Sequence, residues 1–244
     1  MSATHPSSRW PRWIVTCSLC LVWLLGLAGL VSCGYSDARA GKRLFSGSEA
    51  VPADAIVLFD GKDLSQWTYM NSRAADWKIE SGYMQVRGGS IRTKQEFAGD
   101  YQLHVEFCLP LMADVKGQDR ANSGVYLNSA YEVQVLDSYD LPEIADGDCG
   151  AIYSIATPIA NACRPPETWQ SYDIIFHSPK MDKDGKKIAN ARMTVLQNGV
   201  LIHHNTEVPY PTGSHDAPDA KKGNIELQDH GCKVRYRNVW LRQL

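Results

Sequence analysis

The chain has 244 residues, 44% of them hydrophobic, with 25 basic against 27 acidic side chains and a formal net charge of -2. That length suits one β-sandwich with loops, or at most two small domains. The balanced charge, with no basic block, gives nothing that favours nucleic acid or an anionic membrane surface as partner, while seven Trp suit a protein core or the flat faces of sugar rings.

At the N-terminus Arg9 and Arg12 precede an apolar run from Ile14 to Val31 that ends in Leu30-Val31-Ser32-Cys33. This pattern resembles a bacterial lipobox, with Cys33 as the lipidated first residue of the mature protein. Residues 1–32 are therefore expected to be a lipoprotein signal peptide, and an uncleaved transmembrane anchor of this length is the alternative. Either way the remainder is expected outside the cytoplasm; by the lipobox reading it is held at the bacterial cell envelope, periplasm or outer membrane, through the N-terminal lipid only. Residues 33–53 are small, polar and aperiodic, and read as a flexible tether.

The domain, 54–244, opens with the apolar strand Ile56-Val57-Leu58-Phe59 and an Asp60-Gly61 turn. Residues 77–80 and 83–86 alternate around Ser81-Gly82, a hairpin signature. From Asp100 to Leu109, Tyr101, Leu103, Val105 and Phe107 share one face and Gln102, His104 and Glu106 the other. Strands are predicted at 123–127, 131–136 and 171–177. The segments 193–197 and 200–203 flank Asn198-Gly199, and 224–228 and 234–241 close the domain. Many short strands without intervening helices predict an all-β, two-sheet antiparallel sandwich of jelly-roll type. The irregular stretches 137–170 and 205–223 are long enough to cover a site. Cys108, Cys149, Cys163 and Cys232 form an even set in an oxidising compartment. Of three possible pairings, Cys149–Cys163 is preferred because the two bracket one loop-rich stretch. Their spacing does not suit zinc.

Three strands carry polar residues on a shared face: Asn122, Gly124 and Tyr126; Glu132 and Gln134; Glu226, Gln228 and His230. A solvated face is the simplest explanation of any one of them. Together, however, they offer Asn, Tyr, Gln, Glu and His, groups suited to meeting many hydroxyls at once. A carbohydrate-binding groove follows.

The same residues carry a resemblance. Phe59-Asp60-Gly61-Lys62-Asp63-Leu64-Ser65-Gln66-Trp67, Asn122-Ser123-Gly124-Val125-Tyr126, Tyr131-Glu132-Val133-Gln134-Val135-Leu136-Asp137, Gly150-Ala151-Ile152-Tyr153, Leu227-Gln228-Asp229-His230-Gly231 and Arg237-Asn238-Val239 resemble, in order, the motifs of the 3-keto-disaccharide hydrolase family. The resemblance implies a concanavalin A-like jelly roll that splits glycosides already oxidised at C3. Two departures stand out: the segment 110–121 is long, and Glu167-Thr168-Trp169-Gln170 carries Gln where the family has Asn.

A C3 ketone acidifies the C2 proton, so a base can remove it, the C1 substituent can leave, and water can add back. Glu132 is the expected base. His230 is the expected acid or enolate donor, since imidazole titrates near working pH. Asp137 is a third catalytic candidate, although strict alternation puts it on the face opposite Glu132 unless a bulge re-aims it. Asn122, Tyr126, Gln134, Tyr153, Trp169 and Gln228 are expected to bind substrate, with Arg237 as a charged donor to the oxyanion. No cofactor is expected; a divalent ion on Glu132, Asp137 or His230 is the open alternative. Three rivals remain: a two-carboxylate glycosidase using Glu132 with Glu226 or Asp137, a lectin-like module without turnover, and an assembly or scaffold protein.

Overall fold

The computed structural model describes residues 51–244; the expected signal peptide and Cys33 lie outside the described residues. The first strands are β1 (Ile56–Phe59), β2 (Trp67–Tyr69), β3 (Lys78–Glu80), β4 (Tyr83–Gln85), β5 (Ile91–Thr93), β6 (Phe97–Ala98) and β7 (Tyr101–Cys108). A 3-10 turn, Gly117–Asp119, precedes β8 (Ser123–Leu127) and β9 (Tyr131–Val135). Then come β10 (Trp169–His177), β11 (Lys180–Met181), β12 (Lys187–Ala189), β13 (Ala191–Gln197) and β14 (Val200–Val208). The chain closes with β15 (Lys222–Gly223), β16 (Glu226–Leu227) and β17 (Arg235–Gln243).

Eight strands form one antiparallel sheet, β14-β13-β10-β7-β17-β4-β3 with β1 added on β17, and five form the other, β2-β5-β16-β8-β9. The two sheets pack as the expected jelly-roll sandwich. Alternation explains the packing. On β7 Tyr101, Leu103, Val105 and Phe107 are completely buried, as are Val125 and Leu127 on β8 and Tyr131, Val133 and Val135 on β9. Aromatic hydroxyls cross the core to polar partners. Tyr236 meets Ser123 Oγ at 2.6 Å, Tyr172 donates to the Gln134 carbonyl at 2.6 Å, and Tyr101 donates to Asn128 Oδ1 at 3.0 Å. Each contact joins the two halves of the sandwich through a group that would be costly to bury unpaired.

Ser81-Gly82 and Asn198-Gly199 both take positive φ (49° and 79°; 55° and 78°), the geometry of two-residue hairpin turns. Strands β2 and β5, three residues each, were too short for their alternation to register in the sequence.

The outer face of β7 departs from the simple pattern. His104 and Glu106 are only 6% exposed. His104 Nδ1 lies 2.7 Å from Asp173 Oδ1 on β10, and its ring stacks on Trp240 of β17. Glu106 receives Arg237 Nε at 2.6 Å and Asn238 Nδ2 at 2.9 Å. Burial opposes the charge on His104, but its carboxylate partners prevail and raise its pKa to about 9. The same ring of donors overcomes burial at Glu106 and holds it down at about 2.

The cysteine expectation needs correction. Cys108, Cys149, Cys163 and Cys232 are all free thiols. Cys149 and Cys163, the preferred pair, are in side-chain contact but unbonded. Gln197 donates to the Cys149 sulfur at 3.3 Å and Gln170 to the Cys163 sulfur at 3.8 Å.

Candidate active site

The site is built on the outer face of the five-stranded sheet. Because Ser123, Val125, Tyr131, Val133, Val135 and Leu227 point into the core, their neighbours point outward. The register sets Tyr126 opposite both Glu132 and Glu226, so these three side chains form a row across β9, β8 and β16. Gly124 stands opposite Gln134, and the Gln228 amide donates to the Gly124 carbonyl at 3.0 Å. Outside β9, the segment 150–153 runs as an extra edge: Gln134 N donates to Ala151 O at 2.9 Å and Tyr153 N to Glu132 O at 3.2 Å. That edge sets Tyr153 beside the row. Asp229 holds the turn bearing His230, its carboxylate accepting from Gly89 N at 2.7 Å and Gly231 N at 2.8 Å.

These elements enclose a cavity of about 150 Å³ lined by Asn122, Tyr126, Glu132, Gln134, Tyr153, Gln228 and His230, together with Gln118. Seven residues chosen from the sequence, drawn from separated stretches of chain, thus converge. Gln118 was not among them. It sits on the 3-10 turn of the long segment 110–121, where no periodicity marks a face.

Glu132 is the dominant charge. It is 4% exposed, and burial pushes its pKa up to about 7, against the Tyr126 hydroxyl that donates to Oε2 at 2.8 Å; Glu226 pushes the same way as burial. Its Oε1 takes no hydrogen bond among the described residues. A Cβ at position 124 would collide with Oε1 and lie 3.0 Å from the Tyr126 ring, so only glycine leaves room for this carboxylate. Tyr126 in turn accepts from Gln228 Nε2 at 3.2 Å; burial first, then Glu132, raises its own pKa. Asn122 Oδ1 and Gln228 Oε1 are buried without a partner. Such orphaned acceptors are rare in a folded protein, and they mark where a ligand's donors would go.

Three predicted residues lie elsewhere. Asp137 does not line the cavity. Its carboxylate takes Arg120 Nε at 2.7 Å and the Tyr139 amide at 3.2 Å, tying the end of β9 to the segment before β8. It lies beyond the end of β9, outside the paired strand. Trp169 and Arg237 belong to the outer face of the eight-stranded sheet, where the Arg237 guanidinium lies 4.0 Å over the Trp169 ring and binds Glu106. Both occupy the far side of the sandwich, because β10 and β17 belong to the other sheet. Among the described residues no group of three His, Cys, Asp or Glu is placed to hold a metal ion.

Comparison with known proteins agrees with this architecture. A candidate glycosyl hydrolase of Parabacteroides distasonis, solved at 2.13 Å, is 42% identical, with a TM-score of 0.73 over 79% of this chain and 84% of that one. A second structure from the same organism, solved at 1.70 Å, is 20% identical, with a TM-score of 0.56 over 78% of this chain and 94% of that one, and shares the fold. No curated protein matches the chain. Residues 54–242 match the sequence profile of the 3-keto-alpha-glucoside-1,2-lyase-like domain, and the chain belongs to that family.

Proposed function

We propose that the cavity cleaves the glycosidic bond of 3-keto-disaccharides or related 3-keto-glycosides by proton abstraction at C2, elimination and rehydration. The observation that carries this reading is Glu132: a buried carboxyl with a pKa near 7 and one unengaged oxygen, set among hydrogen-bonding groups suited to a sugar. A base works best when its pKa lies near the operating pH. Glu132 Oε1 takes the C2 proton, and the C2–H electron pair moves toward the C3 carbonyl, whose oxygen becomes an enolate. Tyr153, whose hydroxyl has no hydrogen-bond partner among the described residues, is placed to donate to that oxygen. The pair then returns to form the C1=C2 bond as the C1–O bond breaks, and His230 at the rim protonates the departing oxygen. Water adds its oxygen at C1 and gives a proton to His230, which restores the acid, while the proton held by Glu132 goes back to C2. The sum is hydrolysis.

The arrangement does not favour the two-carboxylate glycosidase. Tyr126 stands between Glu132 and Glu226, and Glu226 does not line the cavity. The decisive experiment incubates the protein with 3-keto-trehalose and with trehalose and follows products by NMR. Turnover of the keto sugar alone is expected. Turnover of both would favour the classical glycosidase, and of neither the lectin-like module. Glu132→Gln should lower the rate by roughly 10²–10⁴-fold; full activity in that variant would end its assignment as the base. By the lipobox reading, the reaction takes place at the cell envelope.

A further inference from the structure

The cavity's amides are not free to turn, and backbone groups determine which way each faces. Asn122 meets the Gln118 carbonyl oxygen at 2.7 Å. A carbonyl can only accept, so the Asn122 atom facing it is the NH2 group, which also reaches Gln118 Oε1 at 3.3 Å. The Gln118 side chain is oriented in the same way, because its Nε2 meets the Gly147 carbonyl at 2.8 Å. Its Oε1 is therefore turned toward Gln134, whose Nε2 donates to it at 3.1 Å and to Gly147 O at 3.3 Å. The Val135 amide, donating to Gln134 Oε1 at 3.1 Å, completes the pattern. Both Asn122 N–H groups are thus consumed, and its Oδ1 is left as a buried acceptor with no partner. On the other wall Gln228 gives its Nε2 to Tyr126, which leaves Gln228 Oε1 in the same state.

We infer that Gln118 is a positioning residue which, by locking Asn122 and Gln134, turns Asn122 Oδ1 into a fixed acceptor, so that the sugar must present free hydroxyl donors both to it and to Gln228 Oε1, which Tyr126 orients on the other wall. This rests on the carbohydrate reading above and narrows its substrate class to glycosides unsubstituted at those two positions. A deoxy or O-methyl group there leaves a buried acceptor unpaired, the situation in which hydrogen-bonding sites discriminate most strongly. Gln118 itself is exposed and sits on a loop, so its removal should spare the fold.

The test measures KM and kcat for 3-keto-trehalose and its monodeoxy and mono-O-methyl analogues, with wild type and Gln118→Ala, and in parallel the calorimetric affinity for the corresponding unoxidised sugars, which need no turnover. In the wild type at least one analogue should bind at least tenfold more weakly than the parent. In Gln118→Ala, KM and Kd for the parent should rise about tenfold, discrimination against that analogue should shrink to under threefold, and kcat should stay within about threefold. Analogues that bind wild type as well as the parent does would overturn the inference without recourse to any variant. So would Gln118→Ala with unchanged KM and unchanged discrimination, or a protein that binds none of these sugars. Failure of the keto-sugar chemistry alone reads differently: no turnover, but Gln118-dependent discrimination intact in the calorimetric arm.

Discussion

At Glu132, function and stability pull in opposite directions. Its folded pKa, about 7, lies above the ordinary value of 4.5. The folded state therefore holds its proton more tightly than the unfolded state does, and stability falls as pH rises from about 4.5 through 7. Above that the ionised carboxylate costs on the order of 3 kcal/mol. Glu132→Gln, which keeps the volume without the charge, is expected to melt higher than wild type at pH 8 and at the same temperature at pH 4, even as it loses activity. Calorimetric melts at the two pH values check this, and a variant less stable than wild type at pH 8 would refute it. The same group must ionise to act, so kcat/KM for a 3-keto-glycoside should rise through about pH 7. The Tyr126 hydroxyl stabilises the ionised form, and Tyr126→Phe should move that rise to higher pH. A pH–rate profile that stays in place would show that Glu132 does not control the ascending limb.

At the level of strands, Gly124 and His104 illustrate two uses of a sheet's outer face. Gly124 on β8 is an absence that the opposite strand fills with the Glu132 carboxylate. Gly124→Ala should push that carboxyl aside and cut turnover at least tenfold while the protein still folds, as measured by kcat and far-UV circular dichroism; wild-type kcat would contradict the close fit. His104 joins β7 to β10 through Asp173 and lies against Trp240 of β17. Its folded pKa, about 9, is above the free value of 6.5. Its stabilising contribution is therefore complete below 6.5 and lost as pH rises through 9. The melting temperature of wild type should fall across that window. His104→Gln should flatten the slope and cost roughly 3 kcal/mol at pH 6, because Asp173 and Glu106 lose a buried positive partner. An unchanged slope in the variant would remove His104 from the account.

For the whole molecule, the sandwich separates two polar regions that the sequence presents in the same way. One outer face carries the cavity, and the other carries the His104–Glu106–Arg237 network, in which Trp169 covers a guanidinium. The expected lipid anchor belongs to this scale as well. Replacing Cys33 by Ala should abolish incorporation of labelled fatty acid and release the protein from the membrane fraction, and a wild type that takes up no label, with a variant that stays in the membrane fraction, would favour an uncleaved anchor.

Much was legible in the residues alone. Period-two alternation identified the longer strands, since a strand with one face in a core must write that face into every second residue. It placed Asn122, Tyr126, Glu132, Gln134 and Gln228 on outward faces for the same reason, whereas Asp137 lies past the end of β9, where Val135 and Leu136 are both buried and the alternation lapses. Alternation gives a side chain's direction along its own strand but not which sheet the strand joins. Trp169 and Arg237 therefore looked as suited to the site as Tyr153, until strand order put β10 and β17 in the other sheet. Gln118 was invisible because an irregular turn has no period to read. Its place above the cavity exists only once the 3-10 turn folds back over β8 and the carbonyl of Gly147 comes within hydrogen-bonding reach. Nor could composition foretell the pKa of Glu132, which comes from excluding water around a carboxylate, a property of the packed neighbourhood and not of the residue.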